Sequence, residues 1–275
     1  MANEHKHEHD GHMFGSTDAA DSAGQPWAGR HFEPNAHATD DGSADPAVMA
    51  ALAHFRSLDL TDPARAAAQS AVIDAVAASR LLVPLIAEAG DTGVGPNGLV
   101  VDKTQELALV TVAGPGGQKV MPAFTSVGAM TAWRADARPV PVEARRAALA
   151  AVAEGINWIV LDPTSKTEFV IRRPAVAAIA QGIVWTPSHA DHELRELLEK
   201  GVDVDRAVRS VTMVAGDPDA RGLTDDVFLQ VVLAPGLHQD DVMRVLTALS
   251  AAWAGESIFA ERIDSMKIQV IPAAS

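Results

Sequence analysis

The chain has 275 residues, 48% of them hydrophobic, and a net charge of −14. That length gives room for two domains and a sizeable core. It contains no cysteine, which excludes disulfides, thiolate nucleophiles and Cys-ligated zinc or iron–sulfur centres. Its cations occur as isolated pairs such as Arg145-Arg146 and Arg172-Arg173, not as the clustered patch that tracks phosphates, so no nucleic-acid partner is expected.

Residues 1–44 are rich in Gly, Ser, Asp and His, and nine acids in the first 45 positions against Lys6 and Arg30 carry half of the net charge. With few large apolar groups such a stretch cannot repay the entropy of ordering, and it reads as a disordered acidic tail. Within it His5, His7, His9 and His12 can gather a divalent metal such as zinc or nickel, helped by Glu4, Glu8 and Asp10. Two readings stand, a physiological chelating tail and adventitious binding. A disordered tract lacks the second shell of a catalytic metal, so no resident cofactor is expected. Trp27 and Phe32 either pack back on the domain or dock another protein. No basic segment followed by an apolar one opens the chain, and no apolar run nears the roughly 18 residues that cross a bilayer. A cytoplasmic protein without a membrane partner is expected.

Asp45-Pro46 supplies an N-cap and a first-turn proline to a helix with Met49, Leu52 and Phe55 at helical spacing, and Asp62-Pro63 repeats the device before Val72, Ile73 and Val76. Residues 81–87 and 107–112 read as buried strands. Gly114-Pro115-Gly116-Gly117 marks a hairpin into a strand over 119–124; it is no phosphate loop, because Gln118-Lys119-Val120 continues into a strand. Thr125 or Ser126 caps a short helix carrying Val127, Met130 and Trp133, and residues 138–142 form an extended connection. A helix over 147–154, strands at 157–161 and 167–171 joined by an Asp162-Pro163-Thr164-Ser165 turn, and a helix opened by Pro174 complete a module over 45–186. A second module spans 187–275. In it Ser188 caps a helix with Leu194, Leu197 and Leu198. Strands at 205–214 and 227–233, a helix carrying Val242, Val245, Leu246, Leu249 and Trp253, and a strand over 267–271 follow. The fold class is α/β (α+β): two mixed sheet-and-helix modules behind a disordered tail.

Met121-Pro122-Ala123-Phe124-Thr125-Ser126 with Trp133 behind it, then Trp158-Ile159-Val160-Leu161-Asp162-Pro163, resemble the SseB family, named for enhanced serine sensitivity. The resemblance covers about 65–186. More loosely, residues 231–237 and 267–270 resemble the family's second domain. It implies a phenotype linked to amino acids and no agreed activity or catalytic residues. A thiosulfate sulfurtransferase that shares the label works through a cysteine persulfide, and a chain without cysteine cannot be that enzyme.

Candidate sites each have a plainer explanation. His189, His192 and Glu193 share a helical face with Asp191 beside them, as a metal or acid–base site would, yet Ser188, Asp191 and Glu193 equally suit a helix start. Asp225-Asp226 and Asp240-Asp241 are adjacent acids that point apart, unlike a converging acid–base pair. Ser126 and Ser165 lack a glycine-framed elbow. The expected function is therefore a non-catalytic binding or regulatory protein, with a protein partner or a small metabolite. One alternative is an enzyme whose deep cleft between the modules holds perturbed carboxylates near Asp162, Thr164, Ser165 and Arg172. Another is a homo-oligomer that buries the edge strand at 267–271.

Overall fold

Asp45 opens the first helix of the computed structural model: its carboxylate accepts the Ala47 amide at 2.8 Å, and α1 (Pro46–Ser57) turns Val48, Leu52 and Phe55 inward. The structure describes residues 39–86, 92–94, 100–102 and 110–272. The tail up to residue 38, with His5, His7, His9, His12, Trp27 and Phe32, lies outside them, as do residues 107–109 of the expected second strand. Asp62 acts one turn earlier than its proline suggests. It accepts the Ala64 amide at 2.8 Å and forms a turn, so that α2 (Arg65–Ala77) begins at Arg65.

The first sheet is built in two pieces that meet on one strand. β1 (Arg80–Leu85) is followed by a small antiparallel pair, β2 (Thr92–Val94) and β3 (Val100–Asp102). Next come β4 (Val112–Ala113) and β5 (Lys119–Ala123), whose antiparallel hairpin is closed by Gly114 N–H to Gln118 O at 2.8 Å. Ser126 accepts the Ala129 amide at 3.1 Å and caps α3 (Val127–Trp133). Then follow β6 (Arg138–Glu143), α4 (Ala144–Ala153), β7 (Trp158–Leu161), β8 (Phe169–Ile171) and α5 (Arg173–Gln181). The strand order β4-β5-β7-β8 has β5 parallel to β7 and the other neighbours antiparallel. β1 joins this sheet where Leu82 and Phe124 exchange both backbone hydrogen bonds at 2.9 Å.

That joint explains three prolines in strands. On β5, Gln118 and Phe124 spend their backbone groups on the β4 and β1 side, so Pro122, of the same parity, falls in the gap between those two neighbours, where its missing N–H leaves no ladder bond broken. Residues 138–142 were read as a mere connection. They are instead a strand antiparallel to β1, with Pro141 opposite Leu82 and Pro139 opposite Pro84. Because Leu82 turns its own groups toward Phe124, Pro141 and Pro139 face the open edge, and only Val140 and Val142 need donors.

The second sheet is simpler. After α6 (His192–Lys200) come β9 (Val208–Ala215), β10 (Val227–Leu233), α7 (Gln239–Ala254), α8 (Ser257–Arg262) and β11 (Met266–Pro272). β10 lies in the centre, antiparallel to β9 and parallel to β11, with α7 and α8 in the crossover. Val227, Leu229, Val231 and Leu233 are buried on one face, beneath Leu194 and Leu198 of α6 and Val245, Leu249 and Trp253 of α7. α8 was not foreseen. The first sheet has its own core, where Phe55 meets Phe169 edge-on at 5.4 Å among Leu52, Val72, Ile159 and Ile171. The fold is thus mixed α/β, and residues 40–275 make one compact unit. No helix of the described residues is long and apolar enough to cross a membrane.

Candidate functional site

The connection between β9 and β10, residues 216–226, folds away from its own sheet onto the first one. Val170 of β8 donates its amide to Ala220 O at 2.7 Å, so the loop continues the first sheet past its edge. Arg65 at the start of α2 donates Nε–H to Pro218 O and an Nη2 hydrogen to Asp219, both at 2.8 Å, with its guanidinium 4.3 Å from the Phe55 ring centre. Gly222 is required where it stands. Its φ of +69° is left-handed, and a Cβ there would lie 2.7 Å from Trp158 Cζ3.

At the middle of this seam sits Arg172, the residue before α5. Its Nη2 bonds Asp217 Oδ2 at 2.8 Å and Thr224 O at 2.7 Å, its Nη1 bonds Asp264 Oδ2 at 3.1 Å, and its Cζ lies 4.8 Å over the Trp158 ring. Trp158 Nε1–H points at both Asp264 oxygens, at 3.1 and 3.0 Å, and Asp217 also accepts the Gly222 amide at 2.7 Å. Burial works against the charge on Arg172, but the Asp217 hydrogen bond and the charges of Asp217, Asp226 and Asp264 outweigh it and hold the proton more firmly than usual. Asp226 is the surplus acid. Desolvation raises its carboxyl above the ordinary range despite Arg172 and the Ser188 hydroxyl. The side chains of Arg172, Asp217 and Asp264 are only 6–7% exposed. They fill the space between them, leaving beside them an open depression of about 260 Å³ bounded by Trp158, Thr224, Asp225 and Asp264.

The residues singled out in the sequence are placed differently from the enzyme expectation. Asp162 is 1% exposed and accepts the Thr125 amide, the Thr125 hydroxyl and the Thr167 hydroxyl at 2.8–2.9 Å. It ties β5 to the β7–β8 turn, where Asp162 and Thr164 both have positive φ. Ser165 bonds Thr167 at 2.9 Å within that turn. Ser188 is not the cap of α6. Its hydroxyl donates toward Asp226 Oδ2 and Arg262 O, and Asp191 caps the helix by accepting the Glu193 amide at 2.9 Å. Asp191 and Glu193 both hold Arg262, each at 2.9 Å, so neither orients an imidazole. His192 lies 3.5 Å from Glu196 in an exposed pair. Among the described residues no group of three His, Asp or Glu side chains could hold a metal ion.

The roomier space on the seam lies elsewhere. A cleft of about 550 Å³ opens between the approach to α2, with Leu60, Thr61, Arg65 and Gln69, and the second half, with His189, Arg195 and residues 213–215 of β9. Burial first, and then the charge of Arg195, push the His189 imidazole below its ordinary value, so it stands neutral. His189 had been singled out as a metal or acid–base candidate. The Arg172 cluster was missed as a unit, although Arg172 and Asp226 were each noted, because its members are separated by 45 and 92 residues along the chain.

Residues 56–178 match the SseB protein N-terminal domain, a span from the last turn of α1 into α5 that contains Asp162 and Arg172. No curated protein and no solved structure matches the chain.

Proposed function

We propose that this chain, whose residues 56–178 match the SseB protein N-terminal domain, is a non-catalytic, cytoplasmic binding protein of the SseB family that takes a small metabolite at the seam of its two halves and regulates a partner. The observation that carries this reading is the state of the Arg172 cluster. The guanidinium of Arg172 is close-packed and cross-paired with Asp217, Asp264 and the Thr224 carbonyl, and the three charged side chains are only 6–7% exposed. A site for acid–base chemistry needs converging groups around a space; here the cleft of about 550 Å³ is lined by none of Arg172, Asp217 and Asp264, and the shallow depression beside the cluster meets only Asp264 of the three.

The domain division at 186/187, a second SseB-type domain over 187–275, and the link to amino-acid metabolism belong to this reading, the last by family association alone. A chelating role for His5, His7, His9 and His12 stays with it as a separate proposal, tested by zinc titration of the full chain against one lacking residues 1–38. The reading is tested by thermal-shift screening of the full chain against small metabolites, beside a hydrolase and transferase panel. A ligand at a hundred times its Kd stabilises by about 2.7 kcal/mol. Robust turnover that one substitution at the seam abolishes would overturn it.

One observation favours the enzyme alternative, the raised carboxyl of Asp226. As a general acid Asp226 would need to reach substrate, whereas its Oδ2 is taken by the Ser188 hydroxyl at 2.9 Å and the Asp264 amide at 3.3 Å.

A further inference from the structure

Four polar side chains on the wall of the larger cleft, Thr61, Gln69, His189 and Arg195, enter no hydrogen bond or ion pair with any described residue. Their neighbour Arg65, on the same wall, is fully spent on Pro218, Asp219 and the carbonyls of Phe55 and Leu58. The spare hydrogen-bonding capacity is therefore gathered at one end of the chemistry: a guanidinium fork, a neutral imidazole, an amide and a hydroxyl. Apart from Asp62, the rest of the lining is mostly aliphatic, with Leu60, Met213, Val214 and Ala215 among it. A volume of about 550 Å³ falls within the range of small-molecule sites.

We propose that this cleft binds an amphipathic monocarboxylate, its carboxylate paired with Arg195 and its aliphatic part laid against Leu60, Met213 and Ala215. The inference deepens the small-ligand reading given above and rests on it. A single negative charge is specified because, among the described residues, Arg195 is the one guanidinium in the lining without a hydrogen bond or ion pair, and because Asp62 on the same wall repels a second. A planar fork suits a carboxylate through two parallel hydrogen bonds. A hydroxyl or amide farther along the ligand meets Gln69 or Thr61, the groups that would otherwise be desolvated without partners when the cleft fills.

The test uses the full chain with labelled methionine methyl groups, titrated separately with hexanoate, hexan-1-ol and hexylammonium. The Met213 methyl resonance, assigned with Met213→Leu, reports filling of the cleft, and calorimetry reports affinity. The expected result is that hexanoate shifts the Met213 signal and binds at least tenfold more tightly than hexan-1-ol or hexylammonium. Arg195→Gln then lowers hexanoate to the level of hexan-1-ol, leaves hexan-1-ol unchanged and does not move the thermal midpoint; Arg195→Lys keeps part of the preference. Equal binding of acid and alcohol with the Met213 signal still moving, or hexanoate affinity unaffected by Arg195→Gln, overturns the carboxylate assignment and leaves the small-ligand reading standing. A Met213 signal that none of the three probes moves overturns both.

Discussion

Arg172 and Arg195 sit on one seam and have opposite fates. Arg172 is wrapped by Asp217, Asp264, the Thr224 carbonyl and the Trp158 ring, with its side chain 7% exposed. Arg195 is exposed at the mouth of a cleft and holds no described partner. The contrast teaches that charge density is a poor guide to function. A cluster that satisfies every member fastens two layers together, whereas a lone cation beside unspent donors is what a ligand can use.

The hardest way to break the contrast is to remove the clasp. Arg172→Ala leaves Asp217 and Asp264 buried without their cation, and a buried pair that loses one partner costs about 3–5 kcal/mol. Urea unfolding followed by tryptophan fluorescence is expected to show a loss of that size. A loss under about 1 kcal/mol would mean that water reaches the cluster and that it is not the fastening of the seam.

Next in size is Asp162, the equivalent knot within the first sheet. Asp162→Ala strands the buried Thr125 amide and puts a residue with no local hydrogen bond at a φ of +46°, a change expected to cost about 2–3 kcal/mol. Asp162→Asn keeps one acceptor oxygen and tolerates the left-handed backbone, so its loss should be the smaller of the two. Equal losses would show that the charge, and not the acceptor geometry, matters.

These two knots also mark where sequence reasoning reaches and where it stops. Caps are local: Asp45 and Ser126 act on amides two and three residues on, and both were legible. So was the alternation of Val227, Leu229, Val231 and Leu233, because a half-buried strand writes its period into adjacent positions. β6 was read as a connection because Pro-Val-Pro suits a loop unless the register is known, and the register is set by the distant Leu82–Phe124 exchange. α8 is six residues long, too short for a helical period to show. Ser188 has the right residue type for a cap, but Asp226 and Arg262, 38 and 74 positions away, claim its hydroxyl. The docking of residues 216–226 left only a faint mark, a connection longer than a hairpin needs and rich in Gly, Pro and Asp.

Asp226 sharpens the contrast from inside the clasp. Its folded carboxyl titrates above the ordinary value of 3.8 because desolvation disfavours the charge. The native state therefore holds a proton that the unfolded chain releases, and stability falls as pH rises from the unfolded value through the folded one. The penalty is fully present above the folded value and disappears in acid. Asp226→Asn removes the charge and keeps an oxygen for the Ser188 hydroxyl, so it is expected to raise the unfolding midpoint at neutral pH, with the gain shrinking as the pH is lowered. A loss at neutral pH would assign Asp226 a favourable charge interaction with Arg172, and a gain that persists in acid would show that its charge is not the cause.

The smallest effect closes the comparison, and it uses the same chemical change at both arginines. Arg195→Gln removes a cation that no described residue contacts with an ion pair or hydrogen bond. Its removal should shift stability by no more than about 0.5 kcal/mol, as at other surface positions without partners. Arg172→Gln removes the same fork from a place where two carboxylates and a carbonyl depend on it. Urea unfolding of the two variants side by side should separate them by several kcal/mol. If Arg195→Gln is instead strongly destabilising, Arg195 has a partner within the chain, the cleft is part of the fastening, and the distinction between a filled clasp and an open site disappears.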